Sequence, residues 1–240
     1  MTSKNKASSE HDTDFLAQEV GEHMFSRLDL MVLDPKKVLV LGGAIKQAVE
    51  SLKKRYPTAE IMTEDQDEEG ILALSDHSVD FIFANLSLPW CHDLQKCFRE
   101  WRRILRPEGL LTFSSLGPDT LIELRSQLAD FTLVNLVDMH NIGDELTQAR
   151  FADPVLDVEY ITVTYRQPET MIAELQIMDI LVAQLPDVLF EMDQNEVFSV
   201  TFEVVYGHAW GPKMEVDHVA DESGVVRIPL AHLRNYRKKT

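Results

Sequence analysis

What this sequence has little of narrows it first. It holds only two cysteines, Cys91 and Cys97, six residues apart. A zinc site needs more ligands than the neighbouring His92 adds, so the pair is expected to be two reduced thiols. Positive charge is also scarce: 23 basic side chains stand against 40 acidic ones, a formal net charge of −17. That balance argues against a nonspecific nucleic-acid binder and against a polybasic membrane binder. No apolar run approaches the roughly 20 residues that span a bilayer, and the polar stretch from Met1 to Asp14 contains no apolar signal core. A cytoplasmic location is therefore expected. There is no internal repeat.

What is present suits one α/β domain with decorations. Hydrophobic residues make up 45% of the 240, enough for a core of normal size. Residues 1–12 read as a disordered tail and 212–240 as a polar tail, with the folded domain, 13–211, between them. Leu16, Val20, Met24 and Leu28 fall on one helical stripe, with Thr13 or Asp14 as a cap. Val38–Leu41 is a short apolar run of the kind buried on both faces of a sheet. A helix is expected over Lys46–Arg55, a second strand over Ala59–Met62, an acidic loop over 64–70 and a core strand over Val79–Ala84. Asp93–Arg106 reads as a helix with Leu94, Phe98, Trp101 and Leu105 inward, broken at Pro107-Glu108-Gly109. Leu110–Phe113 is a further strand, and Pro118 opens a helix to about Ala129. A helix over Asp138–Ala149, a strand over Val155–Tyr165, a helix over Pro168–Ala183 and a long strand over Val197–Trp210 complete the series. Strand–helix alternation followed by two late β-rich segments points to a mostly parallel sheet with an antiparallel pair at one edge.

The segment from Lys36 to Lys46 has the layout of a nucleotide-cofactor loop, a buried strand running into a turn and then a helix. Such a loop draws on an acidic residue near the strand end and on glycines that let the backbone turn sharply and approach the ligand. Gly42 and Gly43 supply the turn. Val40 stands where the acid would be, and Ala44 and Lys46 stand where later glycines would be.

A set of landmarks in fixed order carries more information. They are Ser78-Val79-Asp80-Phe81-Ile82-Phe83-Ala84-Asn85-Leu86-Ser87-Leu88-Pro89-Trp90, the run Phe98 to Pro107, Ser115-Leu116-Gly117-Pro118-Asp119-Thr120-Leu121, Asp138 to Asp144, Phe151 to Pro154, and Val204 to Trp210. In these the chain resembles the malonyl-acyl-carrier-protein O-methyltransferases of biotin synthesis, over about residues 13 to 235. The resemblance implies a class I (Rossmann-like) methyltransferase fold of the seven-stranded type, with the middle shortened at Glu64–His77, where the family carries more chain. It implies S-adenosyl-L-methionine as cofactor, held by Leu41, Gly42, Gly43, Asp65, Asn85 and Leu86. Asp65 would take the ribose hydroxyls, while Asn85 and Leu86 would lie beside the methionine part. It implies methyl transfer to the free carboxylate of a malonyl thioester, which starts the pimeloyl moiety of biotin.

That carboxylate is ionised at neutral pH, since its ordinary pKa is about 4, so no general base is required and no catalytic residue is assigned. Trp90 is a candidate pocket wall, and Arg125, Arg150 and Arg166 are candidates to fork the malonyl carboxylate. Lys46 could pair with the cofactor carboxylate or repel the sulfonium. His140 and His208 read more simply as surface or packed histidines, and Tyr206, a candidate pocket wall like Trp90, reads with it more simply as core packing. An acidic acyl-carrier protein would seek a basic face, and Arg99, Arg102, Arg103 and Arg106 share one by helical spacing, although a solvated helix face is the simpler reading. No metal is expected. Three readings stay open: this methyltransferase, the same chemistry on another acceptor, or a non-catalytic homologue that binds acyl-carrier protein or an active relative.

Overall fold

The computed structural model describes residues 15–64, 71–91, 93–125, 133, 135–178, 180–181 and 198–212. The expected N-terminal tail, nearly all of the C-terminal tail, His92 and Asp65 lie outside them.

Among the described residues six strands form one sheet in the order β2-β1-β3-β4-β6-β5. They are β1 (Lys37–Gly42), β2 (Glu60–Thr63), β3 (Val79–Asn85), β4 (Leu105–Leu116), β5 (Ala152–Tyr165) and β6 (Phe198–Trp210). The first four run parallel, and β6 lies antiparallel between β4 and β5. The central strands read as unbroken apolar runs because both faces are covered. Val38, Val40, Phe81 and Phe83 turn to one face, under α1 (Phe15–Leu28), α2 (Ile45–Arg55) and α5 (Pro168–Ile177). Leu39, Leu41, Ile82 and Ala84 turn to the other, under α3 (Leu94–Ile104) and α4 (Met139–Gln148). The α1 stripe is buried as its spacing requires: Leu16, Val20, Met24 and Leu28 are each at most 1% exposed.

The part of the β2–β3 crossing next to β3 packs on α3. Residues 71–78 hold no helix. They are strapped to α3 instead: the Leu72 N–H donates to Glu100 Oε1 at 2.9 Å, and Arg103 donates to Glu100, to Asp76 and to the Leu72 carbonyl. Leu72 itself is buried against the α3 side of the sheet.

Three expectations need correction. The helix predicted from Pro118 does not form in the described part of that stretch. Leu121 takes a left-handed backbone (φ 56°), and only a single 3-10 turn, Ile122–Leu124, follows. The cause is competition from β6: the Leu121 N–H goes to the Thr201 carbonyl, and Glu123 receives both the Thr201 N–H and its hydroxyl. The helix from Pro168 ends at Ile177, six residues early. The cysteines are not free thiols; Cys91 and Cys97 are joined as a disulfide with Cα atoms 6.0 Å apart.

The arginine face expected on α3 is also not a free basic patch: the helix expected to reach Arg106 ends at Ile104, and Leu105 and Arg106 open β4 instead. Arg103 is bound to Glu100 and Asp76, Arg106 pairs with Asp80 at 2.7 Å, and Arg102 has its Nε buried. Among the described residues no helix is long and apolar enough to cross a membrane.

Candidate functional site

β1 has β2 on one side and β3 on the other, so the chain leaves the C-terminal ends of these strands in opposite directions. A crevice at that switch point is where open α/β sheets hold ligands. The β1–α2 turn and the end of β3 meet there. Gly42 has φ 95°, and a methyl group on it would lie 1.9 Å from the Asn85 carbonyl oxygen and 3.1 Å from Ser87 Cβ. The Gly43 N–H donates to that same Asn85 carbonyl at 2.7 Å. Both glycines remain half-exposed. Ala44 follows in the left-handed region (φ 50°, ψ 35°) as the N-cap of α2, with no side-chain hydrogen bond to cap the helix. A non-glycine residue held there costs about 1–2 kcal/mol. Lys46 is exposed in the first turn.

Asn85 is fully buried and organises the rim. Its Nδ2 donates to the Ala17 carbonyl at 2.7 Å and to the Gly43 carbonyl at 3.3 Å, and its Oδ1 accepts from Ser114 Oγ at 3.0 Å. Ser114 Oγ in turn accepts the Leu86 N–H at 2.8 Å. Three segments, α1, the glycine turn and β4, are thus tied to one carboxamide.

α1 is fastened along its length. Its first N–H, at Phe15, donates to Glu174 Oε1 at 3.2 Å, and the Tyr165 hydroxyl donates to Glu174 Oε2 at 2.5 Å. Burial, reinforced by the Glu174 carboxylate, pushes the Tyr165 hydroxyl far above its usual range. Further along α1, the Arg27 guanidinium sits 3.7 Å above the Tyr206 ring and pairs with Asp157. His23 Nδ1 is 3.0 Å from Glu159. Burial, together with Glu159, pushes the Tyr206 hydroxyl up as well.

Five of the six residues expected around a cofactor, Leu41, Gly42, Gly43, Asn85 and Leu86, meet at this rim; Asp65 is outside the described residues. Leu41 and Leu86 are buried, and the Asn85 carboxamide is occupied by protein partners. Val40, at the position of the missing acid, is fully buried in the apolar layer.

The substrate candidates scatter. Trp90 is at the rim, its indole N–H donating to the Ile177 carbonyl at 3.2 Å and so joining the post-β3 segment to α5. Arg125 is on the loop after β4, donating to the Pro118 carbonyl and to Asp119. Arg166 follows the end of β5. Leu116 at the rim faces Val204, which faces Glu159; Tyr165 lies six residues on, about 20 Å further along the ribbon. Arg150 is at the opposite end of the sheet, since Ala152 and Leu110 both face Trp210. His140 is exposed beside Asp138, and burial lowers the basicity of His208 in mid-strand.

Sequence reading passed over Ala17 and Ser114. Continuing the β4 alternation past Phe113 would have put Ser114 on the Asn85 face. Ala17 contributes only its carbonyl, which no residue pattern reveals.

The rim fits an adenosyl amino-acid cofactor in its donors: half-exposed glycine backbone at a switch point, the start of α2, which favours an anionic group, and buried hydroxyls at Ser87 and Ser115 that have no partner. Among the described residues no cluster of three or more metal-ligating side chains exists.

Comparison with known proteins agrees with this fold. Among solved structures, the YcgJ protein from Bacillus subtilis superposes with a TM-score of 0.52 at 12% identity, covering 82% of this chain and 99% of that one. Haemonchus contortus phosphoethanolamine N-methyltransferase 2, solved with S-adenosyl-L-methionine, gives 0.50 at 12% identity over 80% of this chain and 52% of that one. A methyltransferase-domain family model matches residues 37–113, from the first residue of β1 into β4. A malonyl-acyl-carrier-protein O-methyltransferase from Methylovorus sp. strain MP688 is 32% identical over 249 aligned positions, covering 84% of each chain. One from Coxiella burnetii is 34% identical over 224, covering 80% of this chain and 79% of its own. The Methylovorus alignment is longer than this 240-residue chain, so it includes positions where this chain has no residue. With the glycine turn, the β3 end and the late antiparallel pair all in place, and with identity at this level along most of its length, the chain belongs to the malonyl-acyl-carrier-protein O-methyltransferase family.

Proposed function

We propose that this chain transfers a methyl group from S-adenosyl-L-methionine to the free carboxylate of a malonyl thioester carried on acyl-carrier protein, the step that starts the pimeloyl moiety of biotin. One observation carries the reading beyond family membership: the Gly42–Gly43 turn stands half-exposed at the switch point, tied to the end of β3 through Asn85.

S-adenosyl-L-methionine, when bound, supplies an electrophilic methyl group on a sulfonium. The residues present would hold it through the Gly42–Gly43 backbone and the first turn of α2, with Asp65 on the ribose side. The acceptor carboxylate is already the nucleophile at neutral pH, so the protein's work is alignment and exclusion of water. Trp90, bridged to the Ile177 carbonyl, would wall the acceptor side. Of the three arginines, we assign Arg125 to the malonyl carboxylate. It stands on the loop after β4 and would give up the Pro118 carbonyl and Asp119 to meet a substrate. Masking the carboxylate as an ester removes a charge that enzymes with apolar acyl pockets would otherwise have to desolvate.

A second reading, a non-catalytic homologue that binds acyl-carrier protein or an active relative, is favoured by Val40 in place of the acid and by the Asn85 amide donors being taken by the Ala17 and Gly43 carbonyls. Complementation of a biotin-requiring strain that lacks the methyltransferase separates the two. Growth without biotin supports the enzyme; no growth from soluble protein, together with no heat on titration with S-adenosyl-L-methionine, supports the second reading.

A further inference from the structure

Ser87 lies two residues past the end of β3. It is 1% exposed, and its Oγ has no hydrogen-bond partner. It is the N-cap of the 3-10 turn Leu88–Trp90 yet makes no side-chain cap bond. Its backbone carbonyl accepts the Trp90 N–H at 3.2 Å, while the hydroxyl has no partner. Buried hydroxyls without partners are uncommon because their desolvation is not offset.

Its position is specific. A methyl group on Gly42 would come within 3.1 Å of Ser87 Cβ, so the serine stands directly against the glycine turn, on the β3 side and away from β2. Asn85 cannot donate a fresh hydrogen bond there, because its Nδ2 already donates to the Ala17 and Gly43 carbonyls.

We propose that the Ser87 hydroxyl is a cofactor-binding group that hydrogen-bonds the charged amino-acid end of S-adenosyl-L-methionine. This rests on the S-adenosyl-L-methionine reading above. A hydroxyl suits either charge of that end, donating to the carboxylate or accepting from the ammonium. The family resemblance expects the ribose at the end of β2, on the other side of β1, which leaves the amino-acid end to the β3 side.

The test titrates the full-length chain with S-adenosylhomocysteine, and separately with 5′-methylthioadenosine, which keeps adenine and ribose and lacks the amino-acid end. Calorimetry and thermal melting are read for wild type, Ser87→Ala and, as a control, Ser78→Ala. Ser78 carries another unpartnered buried hydroxyl, at the opposite end of β3. Ser87→Ala is expected to melt no lower than wild type without ligand, to bind S-adenosylhomocysteine roughly ten- to a hundredfold more weakly, and to bind methylthioadenosine unchanged. Ser78→Ala is expected to leave both affinities alone. Should Ser87→Ala fail to fold, Ser87→Cys, nearly isosteric and a weak donor, carries the comparison. Unchanged S-adenosylhomocysteine affinity in a folded Ser87 variant overturns the proposal. An equal loss for both nucleosides overturns the amino-acid-end assignment. No binding of either by wild type overturns the cofactor reading and this inference with it.

Discussion

The Asn85 carboxamide donates to the Ala17 carbonyl across 2.7 Å, joining the C-terminal end of β3 to the middle of α1's first two turns. A methyl group on Gly21, one turn further along, would sit 3.2 Å from the same nitrogen. The contact is therefore a packed crossing of helix over strand end. Asn85→Ala removes three hydrogen bonds and leaves the Ser114 hydroxyl and the Ala17 carbonyl short of a partner. The expected loss is about 2–4 kcal/mol, read as a lower urea midpoint with an unchanged slope. Asn85→Asp should cost at least as much, because it sets a carboxylate oxygen against the Ala17 and Gly43 carbonyls.

Gly42 and Ala44 are two residues apart and make opposite predictions. Gly42→Ala meets both a positive φ and a backbone oxygen at 1.9 Å that cannot move without opening the β1–β3 pairing. It is expected to cost several kcal/mol, of order 3 or more, or to prevent soluble expression. Ala44→Gly relieves the left-handed strain but gives up a buried methyl and adds freedom to the unfolded chain. These terms nearly cancel, so its melting temperature should move by no more than the equivalent of about 1 kcal/mol. A large destabilisation by Ala44→Gly would show that the methyl contact outweighs the backbone strain.

The core of the fold was legible because burial writes itself as periodicity. The α1 stripe and the unbroken runs of β1 and β3 allow one answer each, and Asp93 before Leu94 marks a cap that the structure uses, accepting the Lys96 N–H. The stretch after Pro118 was not legible, because its backbone bonds go to Thr201 and Glu203, some eighty residues away. Local propensity favours a helix there, and the long-range pairing overrides it. At the site, the glycines and Asn85 stood out by type and order, but what Asn85 touches did not. Its partners include the Ala17 and Gly43 carbonyls, and a carbonyl has no signature in sequence. The arginines misled for a related reason. Helical spacing would put Arg99, Arg102, Arg103 and Arg106 on one face, but the helix ends before Arg106, which pairs from β4 with Asp80, and Asp76 comes from outside the helix to neutralise Arg103.

Tyr165 and Glu174 make a buried pair at the start of α1. Glu174 is 2% exposed and holds the Phe15 N–H and the Tyr165 hydroxyl on its two oxygens. Tyr165→Phe withdraws a donor from a buried carboxylate and is expected to cost about 1–3 kcal/mol. Because the pair anchors α1, the loss should appear as faster hydrogen exchange in the α1 amides before the sheet amides respond. Uniform change across the molecule would mean that α1 has no separate anchoring at this point.

The last prediction concerns acid. Asp80 Oδ2 accepts the N–H groups of Lys36 and Lys37 at 2.9 and 2.8 Å, and Oδ1 accepts from Arg106 at 2.7 Å. Burial pushes this carboxyl up, but Arg106 and the two backbone donors outweigh it and hold it below its ordinary value of 3.8. A carboxylate with a depressed folded-state pKa stabilises the fold fully above the unfolded value and loses that contribution as pH falls through the folded one. Asp80 therefore adds stability at neutral pH that fades on acidification below about pH 4. Its partner Arg106 is 42% exposed, so solvent screening limits the pair, and about 1–2 kcal/mol is the reasonable size. Asp80→Asn should be less stable than wild type by that amount at pH 7, and the gap should close as the pH drops below 4. Glu100 supplies a parallel term through Arg103 and the Leu72 N–H, its carboxyl held below 4.5, so the variant keeps some acid sensitivity. Paired denaturation curves at pH 7, 5, 4 and 3 check the sign. A gap that stays constant across that range would mean that Asp80 acts through the shape of its hydrogen bonds alone, with its charge contributing nothing.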